Sequence, residues 1–437
     1  MPDKPEWFDA LLFDGNGIAR SLRAPKSQMD AMLRGGVHWP LSLFAMRYDG
    51  VVVEETGSGL QQGDPDGLCM PVERTLSETP WRKGGMQAVF VMQGEDGKPH
   101  YADPRGILAK AARRFADGTL QSRHKPVAAA ELEFYLQPAD ASSSAQWANG
   151  GGAMPELYSA EPLARHGAFL DMLAESMAAA NVKGGAMISE YGAGQMEVNL
   201  HHGDAEGACL DGLLLRYLVR RCADAHQMRA TFLAKPRAGS SGSGMHFHLS
   251  FAADDGDNGY LFADDAKLQN AIAGVLALMR EGMAFFAPFA NSYRRFIPGG
   301  YAPTTASWGM ENRAAAIRVP MAKRDDEKRM EFRIAGADAN PHLVLAVLLS
   351  AAHYGLQKTL TPPPAQQGGI NNGGANDDAK LPMTWRAALD SLAAARVLPD
   401  YLGAKYVNHY LALKESEWRH HRNHISDYDR QNYAAVI

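Results

Sequence analysis

The sequence predicts an α+β protein built from two domains, residues 1–105 and 106–437. Its 437 residues exceed what one ordinary hydrophobic core accommodates, so two domains of unequal size are expected. Up to about residue 105, β-branched runs alternate with Gly, Asp and Pro turns, which is typical of strands. From Pro104 onward, helix-forming stretches separate the strand-like segments. We therefore expect a small β-rich domain followed by a larger domain of helices and strands.

Composition and charge exclude several classes of protein. Apolar residues make up 46% and charged residues 21% of the chain, as in ordinary globular proteins. The net charge of −5 gives no basic footprint, so no nucleic-acid partner is expected. Three widely spaced cysteines imply neither a disulfide framework nor a CxxC metal site. The N-terminus lacks the pattern of a signal peptide and no long apolar run occurs, so we expect a cytoplasmic protein without a membrane partner.

The N-terminal region offers three predicted strands and one long predicted loop. The runs ALLFDG, SLFAMRYDGVVVEE and MQAVFVMQ have the residue types of strands. Between the last two lies TGSGLQQGDPDGLCMPV, which is rich in Gly and Asp and has no apolar period. We predict a loop there, long enough for a role beyond connection. Pro104 and Arg105, followed by GILAKAARRFADG, predict the helix that begins the second domain.

Acidic residues are embedded in two segments that otherwise resemble buried strands. In VAAAELEFYLQ (127–137), Glu131 and Glu133 are two apart and therefore share one face of the strand. MISEYGAGQMEVNLHH carries Glu190 and Glu197 on either side of a Gly-Gln turn. Carboxylates on a buried face are costly unless a cation neutralises them. After this segment, a long amphipathic helix is predicted from roughly Ala205 to Ala230.

A Gly/Ser run followed by two histidines indicates a ligand site. Residues Gly239 to Gly244 are all Gly or Ser, and His246 and His248 share one strand face. Free backbone N–H groups can bind an anion, and neutral imidazoles commonly bind divalent metals. A His-x-His pair by itself more often binds no metal, and a Gly/Ser run by itself is more often only a flexible loop. Next to the strand acids, they favour a metal site.

Arginines are concentrated between Asn291 and Arg333 and are interleaved with Pro, Gly and small residues. Arginine forks hold carboxylate and phosphate oxygens in bidentate geometry, so the pattern suits loops converging on anions. An exposed ion-pair network is the alternative interpretation. ANPHLVLAVLLSAAHYGLQ then predicts a buried helix, and residues 361–381 a Pro/Gly/Asn loop. Near the C-terminus, the histidines of WRHHRNH fit a solvated helix face better than a metal site.

Several motifs together resemble the glutamine synthetase family. They are ELEFYL, EYGAGQMEVNL, GSGMHFHLS, NSYRRF followed by AP, W-G-x-x-N-R with IRVP, and RMEFR followed by ADANPHL. They occur in the family's order and spacing across most of residues 45–437. GDPDGLCMPV, APTTASWG, AGADANP and KESEWRHHRNHISDYD are similar to the γ-glutamylpolyamine synthetase branch. The resemblance implies an N-terminal β-grasp-like domain and a catalytic domain whose antiparallel sheet forms a half-barrel surrounded by helices.

The resemblance also implies roles for individual residues. The cofactors implied are ATP as co-substrate and two or three Mg²⁺ or Mn²⁺ ions, which oxygen and imidazole ligands suit. One cation would be held by Glu133, Glu190 and Glu197, and another by Glu131, His246 and Glu331. Glutamate would be held by Arg295 and Arg333, with Gly242 beside it. His248, Ser250 and Arg329 would contact ATP, while Arg313 and Arg318 would neutralise the transferred phosphoryl group.

Departures from the ammonia-using pattern concern the nucleophile. Those members carry an acid between PG and AP, where this chain has Tyr301, and an Asp before Gly-Ser, where it has Thr56. Ser241 stands where many relatives have Asn, with no effect we can assign. A site without its two acids should bind NH₄⁺ poorly and could admit an organic amine. A polyamine would require acids, offered by Glu54, Glu55, Asp64 and Asp66; a monoamine would require apolar walls, offered by Tyr301 and Trp308.

The resulting hypothesis is an ATP-dependent ligase that joins glutamate to a primary amine. Its small-molecule partners would be glutamate and the amine, and Tyr301 or an acid of residues 54–66 could serve as base. By the resemblance, subunits would form a dodecamer of two stacked hexameric rings, in which the N-terminal loop of one subunit completes the active site of its neighbour. The alternatives are a glutamine synthetase that uses ammonia and a non-catalytic assembly protein with the same fold.

Overall fold

The N-terminal part of the chain folds into a mixed sheet. The computed structural model describes residues 6–94, 97–117, 119–120, 122–139, 156–254, 259–297, 300–369, 379–434 and 436–437. Within this part of the chain, six strands form the first sheet, in the order Ala19–Pro25, Trp7–Phe13, Met86–Met92, Asp66–Pro71, Val37–Pro40, with Ser77–Glu78 also paired to Met86–Met92. Trp7–Phe13 pairs with Met86–Met92 in parallel and the other pairs are antiparallel. One face covers a small core that contains Phe8, Phe44 and Phe90.

The second sheet carries the residues of interest and forms a half-barrel surrounded by helices. Its nine described strands run in the order Trp308–Met310, Ile317–Val319, Met330–Phe332, Met245–Ala253, His124–Pro138, Gln195–Leu200, Gly184–Ser189, with Gly203–Asp204 and Met228–Thr231 also paired to His124–Pro138. The sheet is antiparallel except for Trp308–Met310, which pairs with Ile317–Val319 in parallel. The sheet is thus mixed, where a purely antiparallel one was expected, and the α+β fold class is confirmed.

Helices pack around this half-barrel. In the described residues they span Met29–Gly35, Pro104–Arg113, Ala160–Arg165, Gly167–Ala179, Ala205–Ala225, Asp265–Phe286, Pro341–Lys358, Trp385–Ala393, Leu398–Leu402, Ala404–Arg422 and Asp427–Asn432. The predicted helix after Pro104 begins with Asp103 as its N-cap, whose carboxylate accepts a hydrogen bond from the Arg105 backbone N–H. None of the helices in the described residues is both long and apolar enough to cross a bilayer.

Three predicted segments differ from the structure. Leu41–Ala45 and Glu54–Thr56 form 3₁₀ turns, so most of SLFAMRYDGVVVEE is not a strand. The end of the predicted loop is instead the strand Asp66–Pro71, because it pairs with strands on both sides. The helix predicted from roughly Ala205 to Ala230 ends at Ala225, and Met228–Thr231 forms a strand instead. Of the predicted loop 361–381, residues 370–378 lie outside the described part.

A buried polar network joins the N-terminal domain to the helix Ala404–Arg422. Lys414 lies on the helix Ala404–Arg422, and its Nζ donates to Glu417 Oε2 at 2.8 Å and to Asn16 Oδ1 at 2.6 Å. Asn16 Nδ2 in turn donates to Glu417 Oε1 at 2.8 Å. All three side chains are buried, so the charges are compensated where water is excluded.

Candidate active site

Strand register brings the predicted acids and the first histidine together. Alternation along His124–Pro138 places Glu131 and Glu133 on one face of the sheet. His246 lies opposite Glu131 on one neighbouring strand, and Glu197 lies opposite Glu133 on the other. Glu331 is paired with His248 one strand further along. We call Glu131, Glu133, Glu190, Glu197 and Glu331, together with His246, the carboxylate cluster.

One half of the carboxylate cluster consists of Glu131, His246 and Glu331. One ligand atom from each lies within 4.8 Å of the others. His246 Nδ1 is 3.4 Å from Glu131 Oε2. This trio is the set that the family resemblance assigns to one cation. Two carboxylates and an imidazole within this distance fit a divalent ion that accepts oxygen and nitrogen ligands.

The other half differs in composition from the predicted set. Glu133, Glu197 and His246 offer ligand atoms within 4.8 Å of one another. His246 Nε2 is 3.8 Å from Glu133 Oε1, so this imidazole lies between the two halves. Glu190, predicted to join Glu133 and Glu197, follows the strand Gly184–Ser189 and is only half-buried. Its carboxylate is nevertheless close enough to interact electrostatically with Glu133.

The electrostatics of the cluster favour the binding of a cation. Burial, followed by the charges of Glu131, Glu133 and Glu190, raises the pKa of Glu197 to about 9. Burial and the charge of Glu133 raise the pKa of Glu190 to about 7. Carboxylates that repel one another on a buried sheet face are stable in their charged form only beside a cation. The donor set therefore fits a divalent metal site.

Glu131 and Glu331 are the exceptions, because cationic or hydrogen-bonding partners face them. Burial alone would raise the pKa of Glu131, but hydrogen bonds from His246 and His248 hold it well below its usual range. Burial would likewise raise the pKa of Glu331, and the charge of Arg333 holds it below its usual value. Arg333 Nη1 donates to Glu331 Oε1, and Arg318 Nη1 donates to Glu331 Oε2 at 2.7 Å.

Arg318 bridges two acids. Besides Glu331, its guanidinium reaches Glu311, with Nη2 3.1 Å from Glu311 Oε2. Glu311 is not among the residues that the sequence singles out. Its position within W-G-x-x-N-R, next to the arginines, is the only signal the sequence offers for it. The arginine stretch is thus in direct contact with the carboxylate cluster through largely buried ion pairs. Arg324, in the same stretch, forms exposed ion pairs with Asp326 and Glu327.

Arg295 and the Gly/Ser loop fit tightly together. Arg295 is buried, and its Nη1 donates to the Ile334 carbonyl at 2.7 Å. A Cβ atom at Gly242 would lie 2.6 Å from Arg295 Cγ, and one at Gly244 would lie 2.7 Å from Arg295 Nη2. Only glycine allows the loop to approach the arginine this closely. Ser241, next to Gly242, accepts a hydrogen bond at its carbonyl from the Tyr135 hydroxyl at 2.9 Å.

Gln195 connects this loop to the cluster and was not predicted as a site residue. Its Nε2 donates to Glu133 Oε2 at 2.9 Å and to the Gly242 carbonyl at 3.1 Å. Its Oε1 accepts from the Gly192 backbone N–H at 2.9 Å. A polar residue in a buried strand directly after a Gly turn was the available signal. Such partners orient ligating carboxylates.

The residues expected at the nucleotide lie along one side of the cluster. His248 Nε2 is 2.9 Å from Glu131 Oε1, and Arg329 Nε donates to His248 Nδ1 at 3.1 Å. These contacts fit a neutral imidazole that is protonated on Nε2. Ser250, on the same strand as His248, donates to the Lys328 carbonyl at 2.9 Å.

Arg313 and Tyr301 line a separate, open cavity of about 560 Å³ together with residues 365–369. Arg313 is exposed and its charge acts on Glu190, so it lies within electrostatic reach of the cluster. The Tyr301 side chain is 72% exposed, with its ring 6.5 Å from that of Tyr191. The indole Nε1–H of Trp308 donates to the Pro363 carbonyl at 2.7 Å.

The predicted N-terminal contributors form a separate group within the chain. Thr56 ends a 3₁₀ turn and is buried, with its hydroxyl donating to the Val53 carbonyl at 2.7 Å. That turn packs on the C-terminal helix Ala404–Arg422. Of the nearby acids, Glu54 accepts from the backbone of Leu60 and Gln61, Asp64 accepts from Ser42, and Glu55 pairs with Arg419.

Comparison with known proteins identifies the family. Residues 101–433 match the glutamine synthetase catalytic domain. The chain is 37% identical to γ-glutamylputrescine synthetase PuuA of Escherichia coli (strain K12), over 94% of this chain and 88% of the relative. It is 30% identical to the glutamate–isopropylamine ligase of a Pseudomonas species, over 87% and 84%.

Solved structures agree with this assignment. The structure described as "Apo GmaS without ligand" superposes with a TM-score of 0.83 at 25% identity, covering 98% of this chain and 97% of that one. A structure described as a novel glutamine synthase homolog gives a TM-score of 0.82 at 24% identity, covering both chains completely. Membership of the family implies the use of ATP and a divalent metal. Since the match spans most of the chain, in sequence and in fold, the protein is a ligase of the glutamine synthetase family.

Proposed function

We propose that this ligase joins the γ-carboxyl group of L-glutamate to a primary amine, with ATP as co-substrate and γ-glutamyl phosphate as intermediate. The observation that carries this proposal is the residue at position 301, between PG and AP in the sequence. There an exposed tyrosine, Tyr301, stands beside Tyr191 where ammonia-using members have an acid. Two relatives, the γ-glutamylputrescine synthetase and the glutamate–isopropylamine ligase, are named for organic amines, which supports the same class of nucleophile.

The carboxylate cluster would hold the cations. Glu131, His246 and Glu331 would bind one, and Glu133 and Glu197 would bind the other, with Glu190 approaching from the adjacent turn. When bound, the cations supply positive charge that neutralises the phosphate oxygens of ATP and the phosphoryl group in transfer. Gln195 fixes the orientation of Glu133 through its 2.9 Å hydrogen bond. In the same way, Arg318 and Arg333 fix Glu331.

Glutamate would bind beside the Gly/Ser loop, between Arg295 and Arg333. The Arg295 guanidinium is anchored by backbone carbonyls, so little side-chain entropy remains to be lost on binding. Gly242, with Ser241 next to it, allows the loop backbone to lie against Arg295. The substrate's γ-carboxylate would then point towards the cluster, where the phosphoryl group arrives.

The nucleotide and the transferred group would meet the remaining basic residues. His248, Ser250 and Arg329 line the strand side, where the ring of His248 is already oriented by Glu131 and Arg329. Arg318 and the exposed Arg313 would neutralise charge that develops on the phosphoryl oxygens. The Arg313 side chain could move towards the phosphoryl group more easily than Arg318, because Arg318 donates hydrogen bonds to Glu331 and Glu311.

For the amine, we propose aromatic contacts, because three of the four acids considered for a polyamine already have partners, while Asp66 is exposed. Glu54, Glu55 and Asp64 are engaged by their own neighbours. The exposed rings of Tyr301 and Tyr191 offer apolar surface instead, and they would also attract a cationic ammonium group. By the family resemblance, Thr56 would complete the active site of a neighbouring subunit, so this proposal includes a ring-shaped oligomer, with the dodecamer of two hexameric rings as the expected form.

The first experiment is phosphate release from ATP with glutamate and Mg²⁺ or Mn²⁺, using ammonia, putrescine, spermidine and alkylamines as nucleophiles. Release that requires an organic amine is the expected result. A preference for ammonia would identify a glutamine synthetase. No phosphate release with any of these nucleophiles would favour either a different amine as substrate or the non-catalytic assembly protein.

The substitution Tyr301→Glu tests the role proposed for position 301. The new carboxylate should favour the small ammonium ion and reduce the ratio of amine to ammonia turnover by about tenfold, the effect of one charge-assisted contact. Tyr301→Phe is the matched control, since it keeps the ring and should largely keep the preference for amine. An unchanged ratio in Tyr301→Glu would contradict the role given to this position.

A further inference from the structure

A second, larger cavity lies between the N-terminal domain and the outer wall of the half-barrel. Its volume is about 910 Å³, within the range of small-molecule sites. It is formed by the turn after the first strand, the end of the helix Ala205–Ala225, the segments 231–238 and 289–297, and the end of the helix Ala404–Arg422. No residue of the carboxylate cluster is among its described lining residues. It is therefore separate from the proposed site of phosphoryl transfer.

The charged groups that line this cavity are mainly positive. Arg216, Arg220, Lys235 and Arg294 face it, and Asp338 is the acid among the described lining residues. Excess positive charge at the wall of a concave, low-dielectric site attracts anions. The cavity thus has the electrostatic character of an anion site.

Three of the residues that line the cavity carry buried polar atoms without a hydrogen-bond partner in the described part of the chain. Arg216, Tyr293 and Asp338 are each more than nine-tenths buried. Among the described residues, no hydrogen-bond partner is found for Arg216 Nε, Tyr293 Oη or Asp338 Oδ1. Buried polar atoms are nearly always hydrogen-bonded, so several orphans in one cavity indicate a bound molecule or ordered water. Two of the three can donate, as an anion requires.

The remaining walls are apolar and aromatic. The guanidinium carbons of Arg216 and Arg220 lie 5.8 and 5.6 Å from the centre of the Phe232 ring. Tyr48, Phe289 and other aromatic residues also line the cavity. A ligand that fills the cavity would therefore need an apolar body as well as a charged head.

The cavity shares one wall with the glutamate site. Asn291 accepts from the Lys235 backbone N–H and donates to its carbonyl, both at 2.9 Å. Lys235 Nζ donates to the carbonyl of Ser240 in the Gly/Ser loop. Arg294, which lines the cavity, directly precedes Arg295 in the chain. A ligand in the cavity would contact the segments that position the glutamate-binding residues.

We propose that this cavity is an effector site for a small organic anion with an apolar body, bound through its carboxylate or phosphate oxygens by Arg216 and Arg220. The site is distinct from those for glutamate and ATP. Its location behind the Gly/Ser loop makes it a place from which such an anion can act on the enzyme.

The test is isothermal titration calorimetry of the full-length protein with benzoate and with phenyl phosphate, using benzamide as the neutral isostere of benzoate. Saturable binding of at least one anion is expected, with benzamide about tenfold weaker or undetectable because it lacks the charge. Saturating glutamate should leave the bound anion in place. Binding requires no turnover, so the result is independent of the amine that the enzyme uses.

Arg220→Gln should weaken anion binding about tenfold, as expected for loss of one charge-assisted hydrogen bond. Arg221→Gln is the matched control on the same helix: Arg221 pairs with Asp224 at 2.9 Å and does not line the cavity, so binding should be unchanged. Three results would overturn the proposal: no binding of either anion, equal binding of benzamide, or displacement by glutamate. Equal effects of the two substitutions would do the same.

Discussion

Replacing Glu197 with Gln should stabilise the metal-free protein while removing a cation ligand. Glu197 is buried on the sheet beside Glu133, and its pKa is raised to about 9 by burial and by the charges of Glu131, Glu133 and Glu190. In the unfolded chain its pKa returns to about 4.5. At neutral pH, folding without metal therefore requires this carboxyl group to take up a proton. Gln is neutral and nearly isosteric, so it avoids that requirement.

The size of the effect follows from the difference in pKa. The unfolded pKa and pH 7 differ by about 2.5 pH units, and each unit is equivalent to about 1.4 kcal/mol. Glu197→Gln should therefore add about 3.5 kcal/mol to the free energy of unfolding at pH 7. The folded state binds more protons than the unfolded state, hence wild-type stability falls as pH rises from 4.5 towards 9. The advantage of the variant should grow over the same window and shrink below about 1 kcal/mol at pH 5.

The assay is urea unfolding with EDTA at pH 5, 7 and 8.5, at equal protein concentration. Glu175→Gln, at an exposed position on the helix Gly167–Ala179, is the control and should change stability by less than about 0.5 kcal/mol at each pH. Added Mn²⁺ should then stabilise the wild type more than Glu197→Gln. A variant that is less stable than the wild type in EDTA at pH 8.5 would refute the idea that repulsion dominates this cluster.

Two further substitutions test the loop and the domain connection. Gly242→Ala places a Cβ atom 2.6 Å from Arg295 Cγ, so the KM for glutamate should rise about tenfold or more; Gly239→Ala, with nothing within 4 Å, should be neutral in the same steady-state assay. Lys414→Met leaves the buried Glu417 without its cation and should lower the free energy of unfolding by about 3–5 kcal/mol, measured by thermal denaturation. A loss below about 1 kcal/mol would show that the network contributes little.

The sequence predicts the strand that carries Glu131 and Glu133 correctly, whereas it misses several elements of the N-terminal domain. Glu131 and Glu133 were placed on one face because a strand alternates with a period of two, and the structure agrees. Which residue lies opposite Glu131 depends on the register between strands, which one sequence does not contain. The family motifs, rather than periodicity, brought His246 and Glu331 into the same set.

The errors in the N-terminal domain have physical causes. Asp66–Pro71 was predicted as loop because of its Gly and Asp content, yet pairing on both sides makes it a strand. Gly67 is required there, since a Cβ atom would lie 2.7 Å from Met92. Residues 42–45 are all buried in a 3₁₀ turn, so their apolar character reflects packing rather than a strand. Tertiary contacts override local propensity in both cases.

The buried network of Asn16, Lys414 and Glu417 has a consequence for synthesis on the ribosome. Asn16 is separated from Lys414 by 398 positions. At about 5–20 residues per second, the first strands wait about 20–80 seconds before the helix that completes them has been made. During that interval Asn16 has no buried partner to bind, and the N-terminal sheet lacks the helix that covers its turn. The first domain therefore completes its packing only after the helix Ala404–Arg422 has been synthesised.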